Sequence, residues 1–217
     1  MPAHTDDKPL RVAMLLSGSG TTLRNLVDRI ADGRLRAVRI AQVVSSRRQA
    51  GGVEIATRAG LPLAIVRRKD FATDADFSAA LADGLDRADV DLVLMGGFLC
   101  HWPPPPRYVG RVLNIHPSLL PAFGGKGMIG LRVHEAVLEA GVRQSGCTVH
   151  LVDELYDHGP IVAQRVLDVA RDDTPQSLCE RVRALEFELY PAVLERVVAD
   201  GVAVLAEMAH AHAHARP

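Results

Sequence analysis

The chain has 217 residues, 48% of them apolar, and a formal net charge of −1. That length sustains a substantial core, and near-neutral charge without a long basic block argues against a nucleic-acid partner. No apolar run approaches the ~20 residues of a membrane helix, and the segment from Met1 to Lys8 lacks the apolar stretch of a secretory signal.

The elements follow in chain order. Val12 to Leu16 predicts a first strand, and Thr22 to Ala31 a first helix. Ile40 to Val44 and Gly52 to Ala59 repeat the pattern, and Leu63 to Val66 is a third short strand. Phe77, Leu81 and Leu85 recur at helical spacing. Val90 to Met95 and Val112 to Ile115 supply a fourth and a fifth strand. This alternation predicts an α/β fold: a Rossmann-like, open, twisted and mostly parallel sheet with helices on both faces. Beyond it, Cys147 to Val152 and Ile161 to Val169 are β-rich, and either pair antiparallel or splay apart. Thr174 as N-cap and Pro175 at the first helical position open a helix running through Leu178, Val182, Leu185 and Leu189 toward Val198. We expect a disordered N-terminus over 1–10, one domain over 11–205, and a frayed His/Ala-rich tail over 206–217. Cys100, Cys147 and Cys179 show no CxxC spacing, which fits free thiols and a cytoplasmic setting.

Four segments carry candidate chemistry. Ser17-Gly18-Ser19-Gly20-Thr21-Thr22 bridges the first strand and helix. It fits either a phosphate cradle at a helix N-terminus or an ordinary tight turn. It lacks both GxGxxG and a Walker lysine, so a mononucleotide-sized phosphate suits it better than a dinucleotide. Asn114 and His116 lie two apart at the end of the fifth strand and so share one face. An amide and an imidazole there can serve an oxyanion and a proton, or the histidine can merely cap a sheet edge. Asp157 follows His116 by 41 residues in an acidic turn; a carboxylate beside the ring would favour its charged form. Asp153 and Glu154 read individually as solvated charge, Glu186 by default as a surface carboxylate, and His150 as either a satisfied core histidine or a pocket member. Cys100 and Cys147 read as small apolar fillers, and no histidine grouping has credible metal-ligand spacing.

Together, Ser-Gly-Ser-Gly-Thr-Thr, Asn114-Ile115-His116-Pro117-Ser118-Leu119-Leu120-Pro121, and Ser-Gly-Cys-Thr-Val-His with Asp157-His158-Gly159-Pro160 resemble the phosphoribosylglycinamide formyltransferase family of folate-dependent formyltransferases. The resemblance covers about Arg11 to Gly201, with Arg183-Ala184-Leu185-Glu186 ahead of Tyr190-Pro191 matching a late-helix element. It implies transfer of a formyl group from 10-formyltetrahydrofolate, a co-substrate, to the amine of glycinamide ribonucleotide in purine synthesis. It implies a catalytic set of Asn114, His116 and Asp157. Gly20, Thr21, Thr22, Arg183 and Glu186 would bind the acceptor. Leu99, Cys100, His101, Trp102, Asn114, Asp153, Glu154, Leu155, Tyr156 and Asp157 would line the pterin pocket. No metal is implied, the partners are small molecules without nucleic acid or membrane, and the protein is expected as a monomer or homodimer. The chain departs from the family at Asp74, where an arginine is usual, and over Leu99 to Pro106. Its glycines between 124 and 130 suggest a lid. The rival readings are a formyltetrahydrofolate hydrolase or methionyl-tRNA formyltransferase, each expected to carry an extra domain, and a non-catalytic folate- or phosphate-binding module.

Overall fold

The computed structural model describes residues 8–214. Its strands are β1 (Leu10–Leu16), β2 (Val38–Ser45), β3 (Leu63–Ile65), β4 (Leu92–Met95), β5 (Val112–His116), β6 (Gln144–Leu151) and β7 (Ile161–Asp168). They form one sheet in the order β3-β2-β1-β4-β5-β6-β7. The pairings from β3 to β5 are parallel, while β5–β6 and β6–β7 are antiparallel. Of the two arrangements open for the last strands, the ladder is the one formed.

The helices are α1 (Thr21–Ala31), α2 (Gly51–Arg58), α3 (Asp74–Arg87), α4 (Leu131–Glu139), α5 (Pro175–Asp200) and α6 (Val204–His214). β1 is buried on both sides, as central parallel strands are. Its Val12, Met14 and Leu16 join a core with α1, α5 and α6, and its Ala13 and Leu15 join a second core with α3. Alternate residues thus feed opposite faces. The chain leaves β1 toward β2 on one side and returns to β4 on the other. The carboxyl ends of β1 and β4 therefore flank a topological switch point, where such sheets bind ligands.

α5 begins as the sequence indicates. Thr174 Oγ1 accepts from the Ser177 amide at 3.2 Å, and Ser177 Oγ accepts from the Thr174 amide at 2.9 Å, a reciprocal cap. Leu178, Val182, Leu189 and Leu194 are buried, each contributing roughly 1.5–3 kcal/mol of apolar burial. The Tyr190 hydroxyl lies 3.2 Å from the Met95 carbonyl and 3.0 Å from that of Leu113. It ties α5 to the end of β4 and the start of β5.

Two expectations need correction, and one helix adds to those expected. β1 starts at Leu10, inside the segment expected to be disordered; residues 1–7 lie outside the described residues. The His/Ala-rich tail is not frayed as far as His214 but continues α6. Alanine favours helix, and Leu205 and Ala209 are buried against the core; residues 215–217 lie outside the described residues. Finally, α4 follows the glycine-rich loop and buries Val133 and Val137, one helical turn apart.

Candidate active site

β5 and β6 build the floor of the site. Asn114 pairs with His150 across the ladder, and His116 with Thr148. Such opposed residues hold their side chains close on one face. The Asn114 amide nitrogen is 3.1 Å from His150 Nε2 and 3.3 Å from Asp157 Oδ1. His150 Nδ1 donates to the Leu151 carbonyl at 2.9 Å, which leaves Nε2 as the acceptor for Asn114. His116 Nε2 donates to the Phe123 carbonyl at 2.9 Å, and its Nδ1 faces Asp157 Oδ2 at 3.4 Å. Asp157, at a positive φ of 52°, accepts the Gly125 amide at 3.0 Å and stands 3.7 Å from His150 Nε2. The structure thus brings the three expected catalytic residues together and adds His150.

Electrostatics follow from this packing. Burial lowers the His116 pKa below its ordinary value; Asp157 and the Phe123 carbonyl offset part of that, and His150 adds to it. Asp157 therefore acts on the ring as the sequence implied, but burial outweighs it. Burial alone would raise the Asp157 pKa, yet His150, His116 and the Gly125 amide together hold it low. A proton taken up at His116 Nδ1 lands between the ring and an ionised carboxylate.

A cleft of about 510 Å³ opens above this floor. One wall is the β1–α1 turn, Gly18 to Thr22, and another is Gly96 to Leu99 after β4. The loop from Gly125 to Gly130 lies across it, and His134, Cys179, Arg183 and Glu186 line the far side. Gly20 caps α1 in a left-handed conformation with φ 75°. A Cβ there would stand 2.4 Å from Gly52 Cα, so this glycine is required by the packing of α1 on α2 as well as by its conformation. Gly18 has open space instead. The amides of Thr21 and Thr22 begin α1 without intrahelical partners, a setting that attracts anions. Glu186 is half-buried rather than a surface charge, and burial pushes its pKa up to about 7 against the pull of Arg183. Arg183 Nη2 lies 3.3 Å from Cys179 Sγ.

A second hollow, about 60 Å³, lies on the other side of Asn114 and Asp157. Cys100, His101, Trp102, Asp153, Leu155 and Tyr156 line it, with Met95, Phe98, His150 and Val152. The His101 and Tyr156 rings stack with centroids 4.7 Å apart, and His101 Nε2 donates to the Glu154 carbonyl at 3.0 Å. Several expected pocket residues sit differently from the sequence reading. Trp102 is 2% exposed and packs in the α3-side core against Tyr108 while also lining the hollow. Leu99 lines the cleft instead, and the Glu154 side chain lines neither space. Apolar burial governs Trp102, and the turn geometry directs Glu154 outward. Asp153 lines the hollow while accepting from His158 Nδ1 at 2.7 Å.

His134, whose buried Nδ1 has no hydrogen-bond partner among the described residues, was not singled out for the cleft from sequence; its place in α4, four residues after Gly130, was the available signal. Among the described residues no group of three or more His, Cys, Asp or Glu is placed to hold a metal ion, and no helix is long and apolar enough to cross a membrane.

Comparison with known proteins agrees with this geometry. A family model described as formyl transferase matches residues 10–194. The chain is 39% identical over 187 residues to the chloroplastic phosphoribosylglycinamide formyltransferase of Arabidopsis thaliana, covering 85% of this chain and 64% of that protein. It is 37% identical over 204 residues to the human trifunctional purine biosynthetic protein adenosine-3, covering 93% of this chain but 20% of that protein. The chain thus spans less than two thirds of either relative. The crystal structure of phosphoribosylglycinamide formyltransferase from Brucella melitensis superposes with a TM-score of 0.79 at 38% identity, covering 88% of this chain and 97% of that one.

Proposed function

Because the chain belongs to the phosphoribosylglycinamide formyltransferase family, we propose that it moves the formyl group of 10-formyltetrahydrofolate onto the primary amine of glycinamide ribonucleotide. One observation carries this reading: Asn114 and Asp157 line both the cleft and the smaller hollow. Two substrates held in separate chambers would meet at these residues.

In this reading the acceptor occupies the cleft. Its phosphate sits against the Thr21 and Thr22 amides beside Gly20, where the α1 dipole favours negative charge. Its ribose hydroxyls reach Glu186, and Arg183 flanks them. The pterin lies toward the hollow between the 98–102 and 153–157 segments, near Leu99, Cys100, His101, Asp153, Leu155 and Tyr156. A hollow of about 60 Å³ has room for a few waters but not for a fused bicyclic ring. The His101–Tyr156 stack therefore parts to admit it, and Trp102 supports the wall from the core side.

The amine nitrogen attacks the formyl carbon and forms a C–N bond, and the carbonyl oxygen gathers negative charge. Asn114 donates to that oxygen the N–H that otherwise points to Asp157 Oδ1. His116 accepts a proton at Nδ1, where Asp157 stabilises the imidazolium, and returns it toward N10 of the leaving folate, directly or through water. The bond from the formyl carbon to N10 then breaks, leaving tetrahydrofolate and formylated acceptor. His150 fixes Asn114 by taking one of its two N–H groups.

Residues 11–205 act as one domain in this reading, supported by the single sheet. Three free thiols support a cytoplasmic setting, and we keep monomer or homodimer as the expected state. The test is to incubate the protein with 10-formyltetrahydrofolate, with and without glycinamide ribonucleotide, and follow release of tetrahydrofolate. Release that depends on the acceptor supports the proposal; equal release into water alone overturns it in favour of hydrolysis.

A further inference from the structure

The last helix, α6, carries a histidine pattern that neither chamber uses. His210, His212 and His214 alternate in sequence, and an extended chain would put all three on one side. The helix sorts them differently. At 3.6 residues per turn, a spacing of four places His210 and His214 on one face, while His212, half-buried, turns to the opposite side. Val204, Leu205 and Ala209 are buried against the core and anchor the helix, which leaves His210 and His214 exposed. No residue of α6 lines the cleft or the hollow.

The two exposed rings are already paired. Their centroids are 4.1 Å apart, with 42° between the planes. His214 Nδ1 donates to the His210 carbonyl at 2.8 Å. That bond sets the tautomer: with the proton on Nδ1, Nε2 keeps its lone pair. It also fixes the direction of the ring. One ring nitrogen tied to a backbone carbonyl, with the other left open, is the arrangement of a metal-binding histidine. Charge points the same way. The pair sits in the last turn of α6, where the negative end of the helix dipole favours a cation. Glu207, three residues before His210, shares that face and adds negative charge without completing a three-residue group.

We propose that His210 and His214 form a two-point chelate for a divalent late transition ion, Zn²⁺ in the first instance, held through His214 Nε2 and a ring nitrogen of His210. Imidazole suits zinc, copper and nickel, whereas magnesium and calcium prefer oxygen ligands. Zinc binds imidazole nitrogen at about 2.0–2.1 Å, so one ion spans two nitrogens up to about 4 Å apart, and rings this close come within that span. Water fills the remaining positions. The result is an open, exchangeable surface site rather than a closed structural zinc, and it does not depend on the formyl-transfer reading.

The experiment titrates tag-free, chelator-treated full-length protein with ZnCl₂ at pH 7.5, followed by calorimetry and by NMR of the imidazole ring signals. The native chain should show saturable uptake, with the His210 and His214 signals moving most and that of His212 least. His210→Ala and His214→Ala should each weaken binding roughly tenfold or more, since losing even an outer-shell partner costs about that much. Alanine is the best helix former, so both variants keep α6. His212→Ala should bind as the native chain does, and Mg²⁺ should give no uptake. Absence of saturable Zn²⁺ uptake, uptake unchanged by loss of either ring, or signal changes centred on other histidines would each overturn the site.

Discussion

Glu186→Gln tests the acceptor wall through stability as well as through activity. The folded carboxyl titrates at about 7 instead of 4.5, because burial disfavours its charge more than Arg183 favours it. Between those pH values the unfolded chain has released a proton that the folded chain keeps, so rising pH destabilises the fold. At ~1.36 kcal/mol per pH unit, the gap from 4.5 to about 7 amounts to roughly 3 kcal/mol. The loss begins near the unfolded value and is complete once the folded pKa has been passed. Other groups titrate alike in both proteins, so the difference between them isolates this one. The assay is urea unfolding of native and Glu186→Gln chains at pH 4.5, 6 and 8, with stability from linear extrapolation. The variant should gain on the native chain by roughly 3 kcal/mol across that range. Parallel curves would show that Glu186 is not held protonated, and would refute the burial argument. If Glu186 accepts from the ribose hydroxyls as proposed, the same variant should bind the acceptor more weakly at pH 8, where the native carboxylate is ionised, and differ less at pH 6.

Asn114→Ala should cut kcat by roughly 10²–10³, the scale of one lost oxyanion donor, with little change in melting temperature; near-normal turnover in the folded variant would remove its role. Asp157→Asn should lower the His116 pKa further, because a close opposite charge is lost, and shift the histidine limb of the rate profile to lower pH. An NMR titration of His116 in both proteins checks this, and an unchanged or higher value would dissolve the pair. The low Asp157 pKa also implies stability present above the ordinary carboxylate range and lost as pH falls through the folded value. Gly18→Val should weaken the phosphorylated acceptor much more than the folate, whereas Gly20→Ala should lower stability outright through its contact with Gly52; the reverse pattern, read by unfolding and ligand titration, would exchange their roles.

The five parallel strands were legible because apolar runs such as Val12 to Leu16 and Val90 to Met95 must bury both faces. The period of two placed Asn114 and His116 in one pocket. Asp157 stands out as a carboxylate in an acidic turn, but its place beside His116 came only from the resemblance, since nothing local says that a turn 41 residues on folds back over the same strand. His150 stayed ambiguous because its role depends on cross-strand register, which no single segment encodes. Glu186 was discounted as surface charge because only the packing of α5 over the switch point reveals its burial. The glycines of 124–130 read as loop and mask the start of the helix that follows them, and the histidines of the tail mask the alanines that make it helical. Trp102 lies beside a run of prolines that reads as loop, yet its ring fills the core on the α3 side. Gly20 looked like part of an anion site, and its contact with a second glycine in α2 was beyond any local pattern.

The Tyr190 hydroxyl has a mechanical consequence. It joins α5 at one point to the last residue of β4 and to the start of β5, and the Asn25 amide joins α1 to the Phe187 carbonyl of α5 at 3.0 Å. Glu186 is therefore mounted on the same rigid frame as Asn114 and the start of α1. On the proposed reading, this frame would gauge the distance between the phosphate end of the acceptor and its reacting amine as a fixed ruler. Adjustment to ligands falls to the opposite jaw, the 98–102 and 153–157 segments and the 125–130 loop, so differences in folate size should be tolerated far better than differences in acceptor length.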